Sequence, residues 1–176
     1  MEKIVVALPL LPGCDTALQT ASISYEHRPD GLYVATAQSA QAQTIITNYT
    51  AANALAWAQA QQKANAAATR WAVMTGGHTT AAGIPLATDA GSITLLTGLY
   101  STAQAGASGP LSFKDRNGTW QTLTASQVTT LFQDVSAFIQ SCYTAENTLD
   151  GQINAATSWQ TCLAINTGAG AFPANS

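Results

Sequence analysis

A chain of 176 residues, 47% hydrophobic and only 9% charged, suits one domain with an appended segment rather than several independent bodies. A net charge of −3 and a pI near 5.0, with six Lys and Arg that form no cluster, exclude nucleic acid as a partner, because its binders group cations to neutralise several phosphates. The low charge leaves Thr, Ser, Gln and Asn to form the polar surface, which fits a subunit held in an assembly better than a free enzyme that relies on charge for solubility.

Alanine supplies much of the hydrophobic fraction, and aromatic residues are only 7% of the chain. Methyl groups bury little area at about 25 cal/mol per Å², so the helices are expected to gain stability by packing on another copy. Cys14, Cys142 and Cys162 show no CxxC spacing and no histidine at metal-ligand intervals. They read as buried or half-buried thiols, with a Cys142–Cys162 bridge left open, and no cofactor is expected.

Met1-Glu2-Lys3 and the apolar run after it have the outline of a secretory h-region. One basic residue, no A-x-A site and the Pro12-Gly13 break argue instead for a strand over Ile4 to Leu11, too short to span a bilayer. Ile23–Tyr25 and Leu32–Ala35 predict two short strands about the turn His27–Gly31, where proline presets φ and glycine accepts the left-handed position. Residues 1–47 therefore read as a β-rich docking segment. An Ala- and Gln-rich connecting helix is expected over 48–70, capped by Asn48 or Thr50, with Leu55 as its one strong aliphatic anchor and Trp57 on another face.

Trp71–Gly77 and Ile84–Asp89 are β-prone runs about a Gly- and Thr-rich turn, which predicts a hairpin. Ser92 to Ala105 reads as a helix with Asp89 as its cap. A second hairpin pairs Leu111–Lys114 with Thr119–Leu123 across Asp115-Arg116-Asn117-Gly118, Asn-Gly being the strongest short hairpin cue. Thr124-Ala125-Ser126-Gln127 is a capping box. It opens a helix whose apolar stripe runs through Val128, Leu131, Val135, Phe138 and Cys142. Unbroken to Ala156 it is about 48 Å long, and either Gly151 interrupts it or its end packs on another subunit. The expected fold is α+β: two short β-hairpins packed with two to three helices, one of them long, preceded by a β-prone N-terminal extension and the Ala-rich helix. Residues 71–166 form the compact domain, and 167–176 read as a flexible tail.

Candidate chemistry is thin. His27 and His78 both fall in predicted turns and read as exposed side chains, although His78 could in principle meet Cys142 or Asp89. Asp89, Asp115, Asp134, Glu146 and Asp150 are scattered, without the paired arrangement a glycosidase needs. Thr75-Gly76-Gly77 lacks the lysine of a Walker loop and reads as a bend. No catalytic, cofactor-binding or metal residue is expected. Trp57, Trp71, Trp120 and Trp159 read as packing or interface residues before sugar platforms. The candidate interface set is Ile4, Val6 and Leu8, whose strand could join a neighbour's sheet edge, with Leu55 and Trp57 on the Ala-rich helix and Trp71, which falls on the same side as Trp57 if that helix continues.

Several separated blocks carry a resemblance: Trp71–Gly77, Thr88-Asp89, Ser92–Gly98, the hairpin FKDRNGTWQTLTASQ, and Val135–Cys142 with Glu146. In that order they resemble a phage and prophage tail-protein domain family of unknown function, over about Ala54 to Asn166. Met74 and Thr144-Ala145 stand where the family pattern has an acidic residue and a basic–acidic pair, and read as surface changes. The resemblance implies a non-enzymatic structural component of a bacteriophage tail, in the fibre, a fibre adaptor or the baseplate periphery, assembled in the host cytoplasm. Other tail, fibre or baseplate proteins would be its partners, with no membrane and no nucleic acid, in a homo-oligomer that analogy with fibres makes a trimer. The alternatives are a fibre-assembly chaperone not retained in the virion, or a host-surface glycan-binding module.

Overall fold

A computed structural model describes residues 1–4 and 10–174 of the chain. The fold is α+β, with small antiparallel sheets and two long helices, of 25 and 31 residues. Two compact units divide it: residues 1–63 with 152–165, and residues 64–151 with 166–176.

In the first unit, β1 (Glu2–Ile4), β2 (Tyr25–Arg28) and β3 (Gly31–Val34) form a sheet of order β1-β3-β2. β3 is central because Leu32 and Val34 carry the apolar face: both are fully buried, with Ile4 opposite Leu32 and Tyr25 opposite Val34. They pack with Leu18 of α1 (Cys14–Thr20) and with Ala42, Ile45 and Ile46 of α2 (Ser39–Asn48). Neither α1 nor α2 was expected in the segment read as β-rich. Gln, Thr and Ala at helical spacing gave α2 little large apolar signal, and tertiary packing on the sheet decided the outcome. The hairpin turn is tighter than His27–Gly31, since His27 and Arg28 lie in β2 and only Pro29-Asp30 separate the strands.

Gly13 opens α1 with φ +85°, and a Cβ there would lie 2.3 Å from the Trp57 ring and 2.5 Å from the Tyr49 hydroxyl. Only glycine fits, in conformation and in space. Thr50 caps α3 (Ala51–Thr75) through reciprocal bonds, its N–H donating to Asn53 Oδ1 and its Oγ1 accepting from the Asn53 N–H. Ala54, Ala58 and Gln62 recur every fourth residue on the buried side of this helix. Gln62 Nε2 donates to the carbonyls of Cys162, Leu163 and Ile165 at 3.1, 3.0 and 3.1 Å. These lie at the C-terminal end of α6 (Trp159–Leu163), where orphan carbonyls need donors.

The second unit contains the later part of α3, the hairpin β4 (His78–Thr79) and β5 (Pro85–Leu86), and α4 (Ala90–Gln104). After them come β6 (Leu111–Lys114), β7 (Trp120–Leu123) and most of α5 (Ala125–Ala155). Its core gathers Leu86, Leu96, Leu123, Val128, Leu131 and Val135, with Tyr100 and Phe132 stacked at 4.2 Å. Asp89 caps α4 by accepting from the N–H groups of Gly91 and Ser92, and Thr124 and Gln127 form the expected box before α5.

The strand expected at Trp71 and the surface reading of Met74 are corrected by the structure. Trp71–Thr75 is helix and not the first strand of a hairpin: no breaker precedes Gly76, so α3 continues and buries Val73 and Met74. Met74 is therefore no surface change, and its sulfur lies 3.8 Å from Arg70 Nη1. In the C-terminal tail, Ala169–Ala171 forms a 3₁₀ turn and Phe172 is buried. Gly151 does not interrupt α5, which runs unbroken to Ala155.

Candidate functional site: an apolar cleft with a basic rim

Several side chains of catalytic type are engaged in local structure. His78 is not an exposed turn residue. Its Nε2 lies 3.3 Å from Asp134 Oδ1, its ring stacks on Phe138 at 4.4 Å, and its Nδ1 is buried without a hydrogen-bond partner. Asp134 Oδ2 accepts from the Ala81 N–H at 2.7 Å, so one carboxylate ties the β4–β5 hairpin to α5. A general base would need its second ring nitrogen on a reacting group, and this one faces the interior. His27 is exposed on β2 and lies 3.0 Å from Asp15. Cys14, Cys142 and Cys162 are buried free thiols, so the Cys142–Cys162 bridge is not formed, and burial pushes all three thiols above the ordinary range.

Arg70 pairs with Glu146 and lies over the Tyr143 ring at 4.4 Å, joining α3 to α5 within the second unit. A shallow depression of about 410 Å³ follows α5 beside this pair, lined by residues of that helix alone from Gln140 to Asp150. One convex helix face encloses little, and this depression offers no converging groups.

A cleft of about 700 Å³ in the same unit is built differently. Leu86 and Ala87 of β5 and its exit line one part, and α4 contributes Ser92, Leu95, Leu96, Leu99 and Thr102. The β6–β7 hairpin supplies Ser112, Phe113, Lys114 and Trp120, with Asp115 and Arg116 from its turn. Leu95 is 78% exposed and Trp120 66% exposed, whereas the stripe Leu96, Leu99, Tyr100 and Ala103 turns inward. Large apolar groups open to solvent beside a concavity mark an interaction surface more than scattered exposure does.

Charge at the cleft is one-sided. Lys114 Nζ lies 5.2 Å from the centre of the Trp120 ring, and the Arg116 guanidinium rests on Gly77, where a Cβ would meet it at 2.1 Å. Gly77 has φ +98°, so the close approach and the backbone both require glycine. Among the described residues neither Lys114 nor Arg116 pairs with a carboxylate. The neighbouring Asp115 is turned into its own loop. It accepts from the N–H groups of Asn117 and Thr119 and from Gln121 Nε2, each at 2.9 Å. The Gln121 bond foremost, then those backbone donors, hold its carboxyl below the usual range.

The candidate interface residues have different fates. Ile4 is buried in the core of the first unit, at the end of β1, which removes it from any surface set. Val6 and Leu8 lie outside the described residues. Leu55 is half-buried, Trp57 is half-buried against Gly13, and Trp71 alone stands out at 56% exposure. Of the cleft residues, Trp120 was read only with the other tryptophans as a packing or interface residue, and Leu95 and Lys114 were not singled out in the sequence. A signal existed: Ile93, Leu95, Leu96, Leu99 and Tyr100 are too many for one helix face, and Trp120 alternates in phase with the polar Thr122.

Among the described residues no group of three or more His, Cys, Asp or Glu is placed to hold a metal, and no helix is long and apolar enough to cross a membrane. A family model described as a domain of unknown function, DUF4376, matches residues 57–167, close to the span of the resembling blocks and containing the whole cleft. No curated protein and no solved structure matches the chain.

Proposed function

The chain belongs to the DUF4376 family, whose function is unknown, and we propose that it is a non-catalytic assembly subunit of a bacteriophage tail that docks a partner protein in the cleft between α4 and the β6–β7 hairpin. The observation that carries docking is the pairing of Leu95 and Trp120, both open to solvent, with a concave apolar lining. That arrangement supplies buried area and a rim, the ordinary anatomy of a protein interface. A role without chemistry is supported by the engagement of Asp89 as a helix cap, Asp115 in its turn and Asp134 with His78.

Placement in a tail, in the fibre, an adaptor or the baseplate periphery, rests on the sequence blocks from Trp71 to Glu146 that resemble tail proteins. Low charge suits a subunit retained in a particle, and the exposed Trp71 is a further contact candidate for other tail proteins or for a homo-oligomer, a trimer by analogy with fibres. Mass spectrometry on purified particles, with copy number set against the major tail protein, tests this. The reading predicts a few to a few tens of copies per virion, by analogy with the ring symmetries of oligomers. Presence in infected-cell lysate with absence from particles would replace it with the assembly-chaperone role.

A further inference from the structure

We propose that the cleft takes an extended protein segment as a third strand on the free edge of β6, with apolar and acidic side chains alternating along it. The inference rests on the cleft being a docking surface and specifies how docking occurs.

Successive side chains of a strand point to opposite faces, yet Ser112, Phe113 and Lys114 all line the cleft. A space met by three consecutive strand residues runs along the strand's edge. Along Leu111–Lys114 that edge is open: among the described residues, their backbone hydrogen bonds are those of the ladder with β7, and β5 meets the edge only beyond them, where the Arg116 N–H donates to the Pro85 carbonyl at 2.9 Å. Length agrees on both sides. The α4 wall from Ser92 to Thr102 spans about 15 Å, and the four residues of β6 span about 13 Å. Either holds roughly four extended residues.

The two faces of β6 set the occupant's chemistry. Leu111 and Phe113 belong to the side packed on the core, so alternate residues of an added strand would meet Leu95 and Leu99 there. Ser112 and Lys114 lie on the other face, where Lys114 sits opposite Trp120 and near the unpaired Arg116. Two exposed cations, with the one lining carboxylate, Asp115, held within its own turn, call for acidic residues at the intervening positions. A second copy of β6 is a poor occupant, because antiparallel pairing would bring two Lys114–Arg116 sets to one sheet with no opposing charge. Lysine on an edge strand also discourages indiscriminate strand addition, which makes an acidic segment the selected one.

The test is a titration of the ¹⁵N-labelled full chain with a capped octapeptide alternating valine and glutamate, followed by amide resonances. Two controls accompany it: lysine in place of glutamate, and N-methylation at every second peptide bond to remove strand hydrogen bonding while keeping the side chains. The expected result is shifts in the amides of residues 111–114 and the Trp120 indole, slowed exchange of β6 amides, and roughly tenfold weaker binding of each control, the scale of one or two lost hydrogen bonds or charge contacts. Equal binding of the N-methylated peptide would overturn strand addition while leaving the cleft a docking surface. Absence of binding by the alternating peptide would likewise overturn it. Whether the cleft docks a partner at all is decided separately, by loss of particle incorporation in Leu95→Asp.

Discussion

Asp115 sits at the tip of a hairpin, where a carboxylate would ordinarily face water, and it is instead 8% exposed and saturated with donors. Its folded pKa is depressed, through Gln121 first and the Asn117 and Thr119 N–H groups next. A depressed carboxylate contributes stability that is present above its unfolded value of about 3.9 and is lost as pH falls through the folded value. Wild type should therefore exceed Asp115→Asn in urea midpoint near pH 7, and the gap should close as the pH drops below about 4. A gap of constant size from pH 7 to 3 would show that the turn does not depend on the ionised carboxylate. The Asn-Gly hairpin cue located this turn in the sequence; the inward direction of the carboxylate was not legible, because it depends on Gln121 crossing from β7. The same holds for Gln62. A glutamine within an alanine run carries no sign that it will meet three carbonyls about a hundred positions later.

At the scale of elements, α5 shows strong legibility. A capping box and an apolar stripe predicted its start and its inward face, and the structure has both. Gly151 raised an interruption that did not occur, since neighbouring turns hold the helix through one poor helix former. A Cβ at that position meets nothing within 4 Å, and its φ lies outside the left-handed region. Gly151→Ala should accordingly raise stability by about 0.5–1 kcal/mol, read as an upward shift of the denaturation midpoint with an unchanged m-value. A loss of stability would mean that α5 is strained there. α3 was legible in its cap and composition but not in its end: Trp71 and Val73 favour strands by type, and the helix continues through both, burying Val73. α1 escaped because a short helix beside proline and glycine carries little periodic signal, and α2 because its Ala, Gln and Thr residues offer few large apolar groups.

For the molecule as a whole, the α+β class and the β6–β7 hairpin were visible in turn chemistry, the β4–β5 hairpin only in its second strand, and the division into two units not at all. Residues 152–165 belong with the first 63, and pairing across that distance leaves no local trace. The cleft was invisible for a related reason. Leu95 and Trp120 look like core residues by type, and only the packing of their neighbours leaves them outside. Trp71, read as an interface anchor, is exposed.

The central claim is that the cleft between α4 and β6–β7 joins this chain to a tail particle. It is tested most directly by co-expressing wild type and Leu95→Asp during infection and quantifying each in purified particles by mass spectrometry. Leu95 is 78% exposed, so the substitution leaves the core intact, which an unchanged thermal midpoint would verify. The account predicts wild type in the particles and the variant depleted by roughly tenfold or more, as expected for an apolar anchor replaced by a charge. Equal incorporation of the two chains, or absence of both from intact particles, would contradict it.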